Sequence, residues 1–220
     1  MMKILGYMGS PRTKGLCSKF TASALAGAAS AGAEVKQIDI AKHNIKYCQG
    51  CYTCVHKSHE LPIGPCPLKD DMAGILAEYL DADGYIMASP VYDFTVPAVM
   101  KAFIERKFAL FSKSKENPGL PDARVKQKFL KKASLLVTGS AVDEYAAIAD
   151  TCFEVMGGHF MIEEIDLVDR LYVGSIHNLA EAQVAKKMDA TYAMGARLVE
   201  EIKKARAQES DRKKLPDQIL

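Results

Sequence analysis

The stretch MKILGYMGSPRTKGLCS, residues 2–18, joins a short apolar run to a glycine- and serine-bearing turn and then to the start of an alanine-rich segment. The run Met2–Met8 predicts a buried strand. Residues 16–31 predict a helix. Between them, Gly9, Ser10 and Pro11 shape a tight strand-to-helix turn. Backbone N–H groups at such a helix start face a common point, and the helix dipole favours an anion there. Ser10 and Ser18 add hydroxyl donors, and Arg12 adds a charged fork. This chemistry suits a phosphate monoester. A plain capped turn is the alternative. The spacing matches neither GxxxxGK[ST] nor GxGxxG, which disfavours a nucleoside triphosphatase and a dinucleotide site of the Rossmann type.

Outward from this unit the alternation repeats. Strands are predicted at residues 34–40, 83–89, 132–138 and 159–167, and helices at 70–80, 96–111, 141–156 and 178–207. Five strands alternating with helices predict an α/β fold: a doubly wound, flavodoxin-like parallel sheet of order 2-1-3-4-5 with helices on both faces. A ligand is expected at the carboxyl ends of the strands. The reading is one domain over residues 1–207, with a cysteine loop at 44–68, an excursion loop at 112–128 and a charged tail at 208–220.

Two more strand ends look suited to a ligand. Residues 88–95 read ASPVYDFT, and Tyr92 and Phe94 there offer aromatic faces beside backbone donors and acceptors. A third strand ends in Thr138-Gly139-Ser140, where glycine permits close approach.

The formal net charge is +2 over 220 residues, so charge gives no reason to expect a nucleic-acid partner. No run approaches 18 apolar residues and no leader pattern opens the chain, so no membrane span and a cytoplasmic location are expected. In a reducing compartment six cysteines favour metal binding or redox chemistry over disulfides. Cys48, Cys51 and Cys54 form two consecutive CxxC steps, and Cys66 follows before Pro67. Four thiolates so placed suit a [4Fe-4S] cluster. Zinc and free redox-active thiols are the alternatives. His56 and His59 lie in the gap before Cys66, so the fourth ligand stays open between Cys66 and one of these histidines, with a vestigial site as the further alternative. His43, His159 and His177 show no metal or triad spacing, and Cys152 reads as a small buried residue.

GSPR at 9–12, SPVY at 89–92 and KAFIER at 101–106 together resemble the flavodoxin-like NAD(P)H-dependent FMN reductase superfamily. Asp70-Asp71-Met72 and Ala82-Asp83-Gly84 are similar to it too, and the cysteines point to its iron–sulfur flavoprotein branch. The resemblance implies FMN, with Ser10, Arg12, Cys17 and Ser18 around its phosphate. Pro90, Val91, Tyr92, Asp93 and Phe94 would hold the flavin ring, with Gly139 opposite. The implied activity is an oxidoreductase passing electrons between the cluster and FMN. Its donor would be NAD(P)H or a ferredoxin-like protein, its acceptor a small molecule or protein, and its assembly a homodimer or homotetramer. A cluster-free FMN or quinone reductase and a non-catalytic redox sensor or binding module are the rival readings.

Overall fold

The computed structural model describes residues 1–117 and 119–212. Its main sheet has five strands: β1 (Met2–Met8), β2 (Ala33–Asp39), β3 (Gly84–Pro90), β6 (Lys132–Thr138) and β7 (Asp166–Val173). They run in the order β2-β1-β3-β6-β7, and every pairing is parallel. Counted within this sheet, that is the expected 2-1-3-4-5. The inner strands β3, between β1 and β6, and β6, between β3 and β7, are buried along their whole length, which explains their unbroken apolar runs.

The helices are α1 (Leu16–Ser30), α2 (Thr53–His56), α3 (Met72–Asp81), α4 (Ala98–Arg106), α5 (Asp150–Gly157), α6 (Phe160–Glu163) and α7 (Glu181–Arg212). Successive residues of β1 join different apolar clusters. Leu5 and Tyr7 pack with Leu76 of α3, Phe103 of α4 and Phe153 of α5. Ile4 and Met8 pack with Phe20 and Leu25 of α1 and with Leu198 and Ile202 of α7. Each such side chain taken out of water contributes roughly 1.5–3 kcal/mol before chain entropy is counted. α1 and α7 approach closely where glycines face backbone: a methyl on Gly27 would stand 1.9 Å from the Tyr192 carbonyl oxygen, and one on Gly195 only 1.7 Å from that of Ala24.

The chain departs from expectation in several places. The helix expected over 96–111 ends at Arg106 and tightens into a three-ten turn over Lys107–Leu110. There Lys107 is drawn into the interior: its Nζ donates to Glu163 Oε1 at 2.8 Å and to the Tyr79 hydroxyl at 3.0 Å, and Tyr79 donates to Glu163 Oε2 at 2.6 Å. The expected excursion loop contains an antiparallel hairpin of β4 (Phe111–Lys113) and β5 (Pro121–Ala123). The helix expected over 141–156 opens as a three-ten segment, Asp143–Ala149, with a non-helical Tyr145. Most visibly, the strand expected at 159–167 is instead α6, and the last strand is Asp166–Val173. Glu163, buried against Lys107, pins that turn of helix. Of the expected tail, residues 208–212 continue α7, and 213–220 lie outside the described residues.

Candidate functional site

Three loops meet at the carboxyl end of the sheet, and backbone bonds tie them together. Gly9 N donates to Ala88 O at 2.8 Å, joining the first loop to the second. Val91 N donates to Thr138 O at 2.8 Å, joining the second to the third. In the first loop Ser10 is buried, and its Oγ accepts from Arg12 N at 3.1 Å. Arg12 itself is exposed. α1 begins after Gly15 with no side-chain cap, so its leading N–H groups are left to an outside acceptor. Ser18 is buried, and its Oγ accepts from Gln37 Nε2 at 3.0 Å. Cys17 faces inward, beside the Thr138 hydroxyl, and burial pushes its thiol up to about 12.

The second loop is a two-residue turn. Tyr92 N donates to Thr95 O at 2.7 Å and Thr95 N to Tyr92 O at 3.0 Å. The turn between them takes Asp93 to φ 47° and Phe94 to φ 61°. Asp tolerates that region, whereas Phe does so only under strain. The strained turn presents Phe94 outward, 70% exposed, with Tyr92 less so at 39%. Pro90 is buried at the end of β3, and Val91 is half-buried. In the third loop the need for glycine has a protein cause: a methyl on Gly139 would meet the Tyr172 hydroxyl at 2.4 Å. That hydroxyl donates to Ala141 O at 2.9 Å.

The cysteine loop forms a second centre. Cys48, Cys51, Cys54 and Cys66 line one cavity of about 410 Å³, walled by Lys101, Ile104 and Arg106 and by Phe108 and His159. Burial raises the Cys54 thiol, and the neighbouring Cys66, Cys48 and Cys51 raise it further. Cys51, at the rim, is lowered by bonds from the Thr53 hydroxyl and amide. Among the described residues no three His, Cys, Asp or Glu side chains are already gathered as a metal-ligating group.

Two arginines shape this loop, and the sequence reading assigned a role to neither. Arg106 donates from Nη1 to Asp70 Oδ2 at 2.5 Å and to Lys46 O at 2.9 Å, and from Nη2 to Asp70 Oδ1 at 3.1 Å. Arg124, just after β5, donates to carbonyls on the far side of the loop. His159, expected to be structural, lines the cysteine cavity with its ring edge-on to Phe111 at 4.9 Å. Its Nδ1 is shielded from water and has no partner among the described residues.

Burial, then the charges of Lys107 and Lys101, push His159 down to about 3, so the folded protein keeps it neutral. An unfolded histidine protonates near 6.5. Its contribution to stability is therefore complete above that pH and shrinks as pH falls towards 3. Going from pH 7 to pH 5 is expected to remove about 2 kcal/mol through this ring. Urea titrations of the wild type and His159→Phe at both pH values check this. The expected outcome is that the mutant loses less of its stability on acidification by that amount.

The chain matches the family model described as NADPH-dependent FMN reductase over residues 2–164. An iron-sulfur flavoprotein of Archaeoglobus fulgidus is 41% identical over 105 residues, 48% of this chain and 45% of that protein. An iron-sulfur flavoprotein of Methanosarcina thermophila is 34% identical over 113 residues, 51% of this chain and 56% of that one. The chain thus spans about half the length of the curated relatives it matches. In fold it is similar to an NAD(P)H:quinone oxidoreductase from Methanothermobacter marburgensis, with TM-score 0.70 and 15% identity over 90% of this chain and 98% of that one. A Bacillus anthracis FMN-dependent NADH-azoreductase in complex with FMN is similar at TM-score 0.67 and 14% identity, over 90% of this chain and 100% of that one. The match covers three tied loops at the sheet's carboxyl edge and the helix leading to the cysteine cavity: the chain belongs to the NADPH-dependent FMN reductase family, with iron–sulfur flavoproteins as its curated relatives.

Proposed function

We propose that the chain is a flavin-dependent oxidoreductase that binds FMN in the three loops and a [4Fe-4S] cluster at Cys48, Cys51, Cys54 and Cys66, and passes electrons between them. One observation carries the reading: the four cysteines line one cavity, and its wall is the end of α4 away from the second loop. α4 has nine residues, so it is about 13 Å long. The donor set fits the cluster, since four soft thiols share one cavity and three of them act on Cys54. When bound, the flavin supplies one- and two-electron chemistry and the cluster one-electron steps.

The chain's own residues supply position and charge. The uncapped start of α1, with Arg12 and Ser10, would hold the phosphate. Cys17 and Ser18 would contribute their amides, because the thiol is turned inward and the Ser18 hydroxyl already accepts from Gln37. Pro90, Val91, Tyr92, Asp93 and Phe94 would line the ring, the strained turn keeping Phe94 and Tyr92 open to a donor or acceptor. Gly139, kept small by Tyr172, would close the opposite side.

We read the helices as covering both faces of the sheet, because alternate residues of β1 enter separate clusters. The protein is read as one FMN-binding domain that works in the cytoplasm as a homodimer or homotetramer, with NAD(P)H or a ferredoxin-like protein as donor. No helix among the described residues is long and apolar enough to cross a membrane.

Anaerobic purification, a visible spectrum and assays for iron, sulfide and zinc test this. Flavin bands on a broad shoulder, with roughly four irons per chain, are expected. Flavin bands without iron or sulfide would replace this reading with a plain FMN or quinone reductase, or with a redox sensor.

A further inference from the structure

The guanidinium of Arg124 makes five hydrogen bonds, one for each N–H it carries. Nε donates to Phe111 O at 3.0 Å. Nη1 donates to Ser58 O at 2.6 Å and Leu61 O at 3.0 Å. Nη2 donates to Cys54 O at 2.5 Å and Lys57 O at 2.9 Å. Four of these five acceptors belong to the cysteine loop; Cys54 O lies within the short helix α2 and Lys57 O just past its carboxyl end. Apart from Thr53 O, which accepts from Lys57 N at 3.2 Å, a helix this short leaves its carbonyls to outside donors, and a cation beside its carboxyl end answers them.

The segment around α2 is costly to hold. Tyr52 and Ser58, on either side of it, stand at φ 54° and 50°. Non-glycine residues keep such angles only where their surroundings over-determine them. Gly64 completes the fit: a methyl there would stand 2.1 Å from Cys54 O and 2.8 Å from Arg124 Nη2. Arg124 follows directly on β5, and its own N–H donates to Leu110 O at 2.9 Å, so it is mounted on the β4–β5 hairpin rather than on the loop it grips.

We propose that Arg124 is a positioning residue of the cysteine site, holding residues 54–61 so that Cys54 faces the cavity before any metal arrives. The β4–β5 hairpin is then part of that site. The inference deepens the cluster reading, but its first test needs no metal.

Metal-free, reduced protein is treated with a thiol-reactive disulfide, and each modified cysteine is identified by mass spectrometry. In Arg124→Lys and Arg124→Gln, Cys54 is expected to react about tenfold faster than in the wild type, because charge-assisted carbonyl bonds that hold it are gone. Cys48, which Arg124 does not touch, is expected to react at its wild-type rate. Lysine is not expected to rescue, since one ammonium cannot replace a five-donor fork. Gly64→Ala approaches the same contact from the opposite side, is expected to reproduce the change, and carries the test if the Arg124 variants do not fold. An unchanged Cys54 rate would overturn the proposal. So would equal acceleration of the buried Cys17 and Cys152, which would mark general loosening.

After anaerobic loading with iron and sulfide, the variants are expected to hold less than about half the wild-type iron at unchanged FMN content. Equal iron retention would overturn the role in the site. If the wild type takes up no iron while the variants still unmask Cys54, the cluster reading fails and the positioning role stands.

Discussion

Arg106→Met is expected to cost about 3–5 kcal/mol of unfolding free energy, because it strands a buried carboxylate. Arg106 is 4% exposed, and the Asp70 side chain it grips is 1% exposed. Asp70 also accepts from Lys46 N at 2.9 Å and Met72 N at 3.2 Å, so the pair ties the entry of the cysteine loop to the start of α3. Burial would raise the Asp70 carboxyl, but Arg106 and those amides outweigh it and hold it below the usual range. The sign follows: the stabilisation is present above pH about 4 and is lost as pH falls through the lowered value. Urea unfolding at pH 7 measures the cost. The double variant Asp70→Asn with Arg106→Met is expected to lose less than the sum of the singles, since neither then leaves a lone charge. A loss under about 1 kcal/mol for Arg106→Met would show that water reaches the pair and that the loop is held by other means.

Gly195→Ala is expected to lower stability by about 3 kcal/mol or more, at the upper end of what overpacking costs. The added methyl would stand 1.7 Å from the Ala24 carbonyl, which is backbone and cannot rotate aside. Relief requires α7 to lift from α1, opening the cluster that holds Leu198, Ile202, Phe20 and Leu25. For a chain of this length such a loss lowers Tm by roughly 6–12 °C, readable by thermal unfolding followed by circular dichroism. Gly74→Ala is the control. Gly74 lies within α3 with no atom within 4 Å of an added methyl, so the same substitution there is expected to stabilise by roughly 0.5–1 kcal/mol. Equal effects at both glycines would mean that the helix crossing yields more easily than its contacts suggest.

What could be read from the sequence, and what could not, separates along physical lines. β1, β3 and β6 were legible because central parallel strands are buried on both sides and spell continuous apolar runs. β7 was not, because an edge strand tolerates Asp166, Asp169 and Arg170, and those charges look like a loop. The segment FMIE reads equally as strand or helix because its apolar residues suit either state, and the distant Lys107 selects the helix. The three loops and the four cysteines were legible because each is a local pattern. The groups that hold the cysteine loop were not. Arg106 reaches back 36 residues to Asp70, and Arg124 reaches 70 to Cys54. Such pairings have no signature until the chain is folded. His159 is hidden for the same reason: nothing beside it in sequence hints that it borders a cavity lined by the distant segments 48–68 and 101–109.

The pairing of α1 with α7 also orders events in time. The inward face of α1, with Phe20, Ala24, Leu25 and Ala28, is finished within the first 30 residues, but Met194, Leu198, Val199 and Ile202 cover it from the last helix. At ribosomal speeds of roughly 5–20 residues per second, the two are separated by about ten to thirty seconds of synthesis. Until α7 is made, that stripe has only sheet residues of its cluster, among them Ile4, Met8, Ile86, Ala88 and Leu136, to pack against.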